Sequence, residues 1–232
     1  MSKQRQHVIQ DGLITKNDPK SVISEKFKGI RTNIMFSTEK DDIKSIVFTS
    51  ERPSVGKSFV SSNVAVTYAQ AGYKTLLIDG DMRKPTQHYV FNTSNSNGLS
   101  SLIINQAEFD EAIKHTDVEI LDLLTSGPIP LNPSELLGSK QFQTVLNRLY
   151  KIYDLIIIDT PPVNTVTDAQ LLAEHSGYVV LVIDVKENNR NDIKKAQELL
   201  EHTGTKILGV VLNKTTEDNS SSYYSYYGES GK

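Results

Sequence analysis

Short, almost continuously apolar runs recur along the chain and alternate with stretches in which apolar residues repeat at helical spacing. Runs of this kind are typical of strands that are buried on both faces of a parallel sheet. The predicted strands are Ser45–Thr49, Thr75–Ile78, Leu155–Ile158, Val179–Ile183 and Ile207–Leu212, with Glu119–Leu124 as a candidate sixth. The predicted helices are Ser21–Ser37, Ser58–Ala71, Ser139–Tyr150, Asp168–His175 and Asn191–His202. This alternation predicts an α/β fold, a mostly parallel β-sheet with helices on both faces.

The two ends of the chain lack these patterns. Residues 1–20 begin with a polar stretch and contain the breaker Asp18-Pro19, which predicts a loosely ordered, flexible leader. Residues 215–232 are rich in serine and tyrosine, and their tyrosines cluster without helix or strand spacing, which favours an exposed, flexible tail. Residues 21–214 are thus predicted to form the folded domain.

Composition narrows the classes of function. The formal net charge of the 232 residues is −3, which gives no sign of a nucleic-acid binder. The chain has no cysteine, which excludes disulfides and thiolate metal sites and fits a reducing cytoplasm. No apolar run approaches the ~20 residues that span a bilayer, so we expect any membrane association to come through a partner protein or a weak surface contact.

A phosphate-binding loop is predicted where the first strand meets the following helix. Gly56-Lys57-Ser58 stands between these elements, and such a turn presents backbone amides and a helix N-terminus to phosphates. Lys57 would reach the β- and γ-phosphates, and Ser58 would bind magnesium. Glu51 occupies the position of the first glycine of the full pattern, so an ordinary Gly-Lys turn is the alternative. The predicted nucleotide contacts are Pro53, Ser54, Val55, Gly56, Lys57, Ser58 and Phe59.

Three acids follow predicted strands and should therefore meet at one edge of the sheet. Asp79 and Asp81 are two residues apart, so one can hold magnesium through water while the other accepts a proton from an incoming hydroxyl. A solvated Asp-Gly-Asp turn is the alternative. Asp159 ends a buried run, a position typical of the acid that holds a magnesium-bound water, although a helix N-cap is also compatible.

Two further residues are weaker candidates. Arg83 can neutralise a transferred phosphate, although a lone basic residue is more often plain surface. Asn213 follows the last strand, where its amide can read the adenine edge or simply cap the strand.

Together, residues 48–58, 77–85 and 157–162 and the tyrosine tail resemble a bacterial tyrosine kinase. The likeness runs from about Ser21 to the C-terminus and is to the cytoplasmic kinase subunit of capsular or exopolysaccharide systems in Gram-positive bacteria. It implies a P-loop NTPase-like fold, ATP and Mg²⁺ as cofactors, and protein tyrosine as the acceptor. It assigns Lys57 to phosphate, assigns Ser58, Asp81 and Asp159 to magnesium, and makes Asp79 the base for the tyrosine hydroxyl.

The resemblance also implies partners. It makes the kinase a cytoplasmic regulator of capsule synthesis that a membrane-spanning activator, the polysaccharide co-polymerase subunit, recruits to the inner face of the membrane. It implies a ring-shaped homo-oligomer, other tyrosine substrates and a phosphotyrosine phosphatase. The ring helix of the family is Glu-x-x-Arg-x-x-Arg; here the contact residues are Glu25, Lys28 and Arg31, and Lys28 lacks the planar fork of arginine. The tyrosines implied to be phosphorylated in trans are Tyr223, Tyr224, Tyr226 and Tyr227.

Two other functions remain open. In a positioning ATPase of the partition or division-site type (ParA/MinD), water attacks the nucleotide, and Arg52 here occupies the place of that group's additional loop lysine. A non-catalytic assembly protein would use ATP only to set its oligomeric state. The tyrosine tail favours the kinase over the first, and the full set of loop and acidic residues favours it over the second.

Overall fold

Seven strands form one sheet in the part of the chain that the computed structural model describes, residues 12–38 and 43–215. The strands are β1 Ser45–Ser50, β2 Thr75–Asp79, β3 Ile113–His115, β4 Leu121–Leu124, β5 Leu155–Asp159, β6 Tyr178–Asp184 and β7 Lys206–Asn213. Their spatial order is β3-β4-β2-β5-β1-β6-β7, and within these residues β3 alone runs antiparallel to its neighbour. The mostly parallel sheet predicted from the apolar runs is confirmed.

Helices cover both faces of this sheet. In chain order they are α1 Ile14–Asn17, α2 Val22–Thr38, α3 Lys57–Gln70, α4 Gln87–Val90, α5 Leu99–Ile103, α6 Phe109–Ala112, α7 Pro133–Leu137, α8 Lys140–Leu149, α9 Asp168–Ser176 and α10 Arg190–Glu201. Side chains of β1 alternate between two buried layers: Ile46 and Phe48 lie in the layer of α2 and α3, and Val47 lies in the layer of α8, α9 and α10. This period of two explains why an uninterrupted apolar run marks a strand with helices on both sides.

The five main predicted strands are all present, and the candidate sixth begins at Leu121 rather than Glu119. Strand β3 was not predicted, because three half-exposed residues at an antiparallel edge carry no apolar run. The five long predicted helices are present to within one or two residues at each end. The remaining helices have four or five residues, too few for a helical repeat to show in the sequence.

The prediction of a loosely ordered leader is wrong for its described residues, 12–20. Thr15 is fully buried, and its main-chain N–H and hydroxyl both donate to Asn63 Oδ1 of α3, at 3.0 and 2.8 Å. The Asn63 amide in turn donates to the carbonyl of Gly12 at 2.6 Å. Asn63 is thus a main polar anchor of this segment, and apolar periodicity gives no sign of such an anchor. Residues 1–11 lie outside the described part.

The central strands bring the predicted site together. Strand β5 lies between β2 and β1, and Asp159 is the register partner of Asp79 on one side and of Phe48 on the other. Because the three strands are parallel, the loop after β1 and the acids that end β2 and β5 share one edge of the sheet. The tyrosines of the predicted tail, residues 223–227, lie outside the described residues.

Candidate active site

The phosphate-binding loop depends on two left-handed residues. Gly56 has φ +93°, and a Cβ built there would lie 2.2 Å from the side-chain nitrogen of Asn213, so both the conformation and the space favour glycine. Ser54 also has a positive φ, 65°, which costs an L-residue roughly 1–2 kcal/mol. Helix α3 begins directly after Gly56, so Lys57 and Ser58 occupy its first two positions. The strand, turn and helix that the sequence predicted are therefore present.

Two residues at the end of β7 bind the carbonyl groups of this loop. Asn213 Nδ2 donates to the carbonyl of Val55 at 2.7 Å. Lys214 Nζ donates to the carbonyl of Ser54 at 2.9 Å and to Asp184 Oδ2 at 2.7 Å. The structure therefore places Asn213 on the nucleotide loop, as a support for it, and contact with adenine stays a prediction.

Pro53 and Phe59, the first and last of the predicted nucleotide contacts, lie in different surroundings. Pro53 is exposed beside the loop, whereas Phe59 packs edge-on against Phe27 of α2, with ring centroids 5.6 Å apart. Phe59 thus belongs to the interface of α2 and α3, where its ring contributes to packing. A role of its backbone in nucleotide binding stays a prediction.

Glu51 and Arg52 open the loop with charged side chains. The Glu51 carboxylate is buried, and neither of its oxygens has a hydrogen-bond partner. Burial raises the pKa of Glu51, and Arg52 Nε, 3.6 Å away, opposes that rise. Arg52 also lies 3.3 Å from Asp184 and donates to the carbonyl of Glu187. The cation that stands in the position of the positioning-ATPase lysine is thus held within its own chain.

Lys57 joins the loop to two of the acids. Its Nζ lies 3.4 Å from Asp81 Oδ2, 3.8 Å from Asp159 Oδ1 and 3.4 Å from Ser58 Oγ. Burial alone would lower the pKa of Lys57, but the charges of Asp159 and Asp81 outweigh it and raise the pKa. The lysine is therefore a protonated cation at the centre of the site, suited to a phosphate ligand.

Asp79 is fully buried and held by main-chain donors. Its Oδ2 accepts from the N–H groups of Thr86 and Gln87, each at 2.9 Å, and its Oδ1 accepts from the N–H of Asp81 at 3.3 Å. Burial, followed by the charge of Asp159, raises the pKa of Asp79 to about 7. A carboxylate with such a pKa suits proton uptake at neutral pH.

Asp159 has one oxygen on the side of Lys57. The carboxylate is fully buried; its Oδ2 accepts from the side-chain amide of Gln87 at 2.9 Å, and its Oδ1 has no hydrogen-bond partner. Buried polar atoms are normally paired. An unpaired oxygen beside Lys57 and Ser58 fits a magnesium-bound water.

The described residues contain no group of three or more His, Cys, Asp or Glu side chains that could hold a metal ion. Magnesium usually binds through one or two carboxylates together with nucleotide phosphates and waters. Ser58, Asp81 and Asp159 match that requirement better than they match an all-protein metal cage.

Arg83 pairs with a carboxylate of α9. Its Nε and Nη2 donate to the two oxygens of Asp168, at 2.9 and 3.0 Å, and Nη2 also reaches Ser134 Oγ at 3.1 Å. Asp168 is fully buried at the start of α9. The structure brings the loop and the three acids together and pairs Arg83 with a different carboxylate.

Gln87 is a site residue that the sequence analysis missed. Its amide contacts Asp159, the Ser58 carbonyl at 3.2 Å and Ser61 Oγ at 3.3 Å. The residue opens the four-residue helix α4, where neither an apolar repeat nor a motif marks it. No sequence signal distinguished it from a surface glutamine.

The predicted oligomer residues of α2 are bound within the chain. Lys28 Nζ donates to Glu25 Oε1 at 2.7 Å and to the carbonyl of Pro19 at 3.0 Å. Arg31 donates to the carbonyl of Thr67 at 2.7 Å, while its buried Nε has no hydrogen-bond partner. A contact of these residues with a second subunit stays a prediction.

Comparison with known proteins identifies the group to which this site belongs. A family model described as an AAA domain matches residues 43–213. The chain is 58% identical over 217 residues to the putative tyrosine-protein kinase CapB of Staphylococcus aureus, covering 94% of this chain and 95% of that protein. It is 40% identical over 228 residues to the tyrosine-protein kinase YwqD of Bacillus subtilis, covering 98% and 96%. The chain belongs to the bacterial tyrosine kinase family.

Solved structures agree with this membership. The crystal structure of the chimerical protein CapA2B2 matches this bacterial tyrosine kinase with a TM-score of 0.87 and 56% identity, covering 89% of this chain and 91% of that chain. The septum site-determining protein MinD of Pyrococcus horikoshii matches with a TM-score of 0.64 at 24% identity, covering 76% and 72%, which shows a shared fold alone. The P-loop NTPase-like fold is confirmed, and the positioning ATPases are only distant relatives.

Among the helices of residues 12–38 and 43–215, none combines the length and the apolar character that crossing a membrane requires.

Proposed function

We propose that this bacterial tyrosine kinase transfers the γ-phosphoryl group of ATP to protein tyrosines, including its own C-terminal cluster, and thereby regulates capsular or exopolysaccharide synthesis. The observation that carries the proposal is the position of Lys57 Nζ, 3.4 Å from Asp81 and 3.8 Å from Asp159. This constellation occurs in a chain that aligns over nearly its whole length with a named tyrosine kinase.

Lys57 binds the β- and γ-phosphates of ATP. Its contacts with Asp81 and Asp159 are longer than a strong charged hydrogen bond, so the ammonium group can exchange them for phosphate oxygens. Ser58, Asp81 and Asp159 hold Mg²⁺ directly or through water. When bound, the metal neutralises charge on the phosphate oxygens.

Asp79 is the base for the acceptor. It takes the proton of the tyrosine hydroxyl as the hydroxyl oxygen bonds to the γ-phosphorus and the bond to the bridging oxygen of ADP breaks. Its raised pKa supports this role. Asp79 is fully buried and Asp81 is 5% exposed, so burial does not distinguish their roles. Separate variants of the two acids are needed to tell the base from the magnesium ligand.

We extend the proposal to the assembly that the family resemblance implies. Subunits form a ring that Glu25, Lys28 and Arg31 help to hold, and Tyr223, Tyr224, Tyr226 and Tyr227 are phosphorylated in trans. A membrane-spanning co-polymerase subunit recruits and activates the kinase at the inner face of the membrane, and a phosphotyrosine phosphatase reverses the modification. The relative CapA2B2 is a chimerical protein, which supports a kinase that works together with a second component.

Mass spectrometry of the purified chain after incubation with magnesium-ATP tests the proposal, with and without the cytoplasmic segment of a candidate membrane partner. We expect phosphate on the C-terminal tyrosines of the wild-type chain. In Lys57→Met we expect tyrosine phosphorylation to fall by at least about 100-fold. Lys26→Met, at an exposed position of α2, is the matched control and should retain activity. ATP hydrolysis without phosphotyrosine in either condition would refute the kinase reaction.

A further inference from the structure

We propose that Gln87 is a positioning residue that holds Asp159 in the orientation required for the magnesium-nucleotide and ties it to Asp79. The inference rests on the proposed function, since it concerns the same site. Gln87 is fully buried and touches both acids through different groups: its main-chain N–H donates to Asp79 Oδ2 and its side-chain amide donates to Asp159 Oδ2, each at 2.9 Å.

The orientation of the Gln87 amide follows from its neighbours. The Asp159 carboxylate and the Ser58 carbonyl are both acceptors, so the NH₂ group must face them. A flipped amide would set Oε1 against two oxygens. In the observed orientation Oε1 is buried and has no hydrogen-bond partner, which costs stability. Gln87 therefore makes its contacts with Asp159 and Ser58 through Nε2 and leaves its acceptor Oε1 without a partner.

The contact with Gln87 determines which oxygen of Asp159 is available. With Oδ2 bound to the amide, Oδ1 has no hydrogen-bond partner and lies 3.8 Å from Lys57 Nζ. The terminal torsion of an aspartate is broad, so without the amide the carboxylate can turn. It would then approach Lys57 more closely and compete with phosphate for the ammonium group.

Gln87 also donates hydrogen bonds to two buried carboxyl groups. Asp79 and Asp159 are register partners on β2 and β5, and each is fully buried. A neutral donor that reaches both carboxylates offsets part of the free-energy cost of burying them. It does so without adding a charge that would attract phosphate. A glutamate at this position would instead bring a third carboxylate to the pair.

Nucleotide binding with and without magnesium tests the proposal independently of phosphoryl transfer. In Gln87→Met the size is kept and the side-chain donor is lost, while the main-chain N–H to Asp79 remains. We expect the Kd of a fluorescent ADP to rise about 10- to 100-fold in Mg²⁺ and to change less than about threefold in EDTA, as for the loss of a residue that orients a metal ligand. Gln87→Glu should lose at least as much magnesium-dependent affinity as Gln87→Met.

The matched control is Asn63→Leu. Asn63 is also a fully buried amide, but its hydrogen bonds hold the segment around Gly12 and Thr15 and reach none of the three acids. It should lower the melting temperature while the magnesium-dependent affinity stays near that of the wild type. If Gln87→Met also lowered only the melting temperature, or weakened ADP equally in Mg²⁺ and EDTA, the positioning role would be refuted.

If Gln87→Met does not fold, Gln87→Asn tests the same contact, because the shorter side chain cannot reach Asp159. It should show the same loss of magnesium-dependent affinity, and retention of the wild-type Kd in Mg²⁺ would overturn the proposal. A wild-type chain that bound ADP in a magnesium-dependent way but phosphorylated no tyrosine would refute the kinase reaction and leave the Gln87 test valid.

Discussion

The side-chain amide of Asn213 lies directly against the nucleotide loop, 2.7 Å from the carbonyl oxygen of Val55. It occupies the space that a side chain at Gly56 would need. The last strand of the sheet and the first loop of the site are therefore fitted to each other across 158 residues of sequence.

Gly56→Ala should disrupt this fit. Its Cβ would lie 2.2 Å from Asn213 Nδ2, in addition to the strain of φ +93°. We expect a loss of unfolding free energy of about 2–4 kcal/mol, measured by urea denaturation, together with weaker ADP binding. Gly72→Ala is the matched control, because Gly72 has φ +90° with no neighbour within 4 Å and reports the conformational cost alone. Equal losses in the two variants would show that Asn213 does not constrain Gly56.

Ser54→Gly should stabilise the loop. Ser54 adopts φ 65°, and glycine would remove a strain of roughly 1–2 kcal/mol while adding about 0.5–1 kcal/mol of chain entropy in the unfolded state. The expected net gain in unfolding free energy is about 0.5–1 kcal/mol, measured by urea denaturation. Ser94→Gly, at an exposed position of an irregular segment without a positive φ, should give no such gain. A destabilised Ser54→Gly variant would contradict the strain argument.

Asp79→Asn should reduce phosphoryl transfer much more than it reduces nucleotide affinity. An amide cannot take the acceptor proton. With its oxygen kept toward the N–H groups of Thr86 and Gln87, its NH₂ group would face the N–H of Asp81. The loss in the single-turnover phosphorylation rate should therefore exceed the loss in ADP affinity by a factor of at least about 100. Asp81→Asn is the comparison and should weaken binding chiefly in Mg²⁺. Equal losses of transfer and binding in Asp79→Asn would remove its role as base.

Arg83→Lys should lower stability more than catalysis. Lysine cannot replace the two-pronged contact with Asp168, so the buried carboxylate loses one of its charged hydrogen bonds. We expect a loss of about 1–3 kcal/mol in unfolding free energy, with kcat changed less than about threefold. Lys84→Arg, at the adjacent exposed position, is the control. A fall in kcat without a loss of stability would place Arg83 at the transferred phosphate instead.

The sequence was sufficient to predict those site residues that stand at the end of a buried strand. An apolar run that ends in aspartate identified Asp79 and Asp159, and the parallel arrangement placed them at the edge that carries Lys57. It was insufficient where a polar side chain depends on a distant partner. Gln87 contacts Asp159 across 72 residues, and Asn63 contacts Thr15 across 48, so neither leaves a local pattern. Arg83 was identified as a charge near the site, but its partner on α9 becomes visible only in three dimensions.

The two residues that hold the nucleotide loop from β7, Asn213 and Lys214, stand immediately before the residues that lead to the tyrosine cluster. A truncation that begins at Thr215 removes the tyrosines proposed as acceptors and leaves the loop supported. A cut only two residues earlier also removes the groups that bind Val55 and Ser54, and the resulting loss of activity would be mistaken for a requirement for the tyrosines. The boundary chosen for such a deletion therefore decides whether it reports on the acceptor or on the nucleotide site.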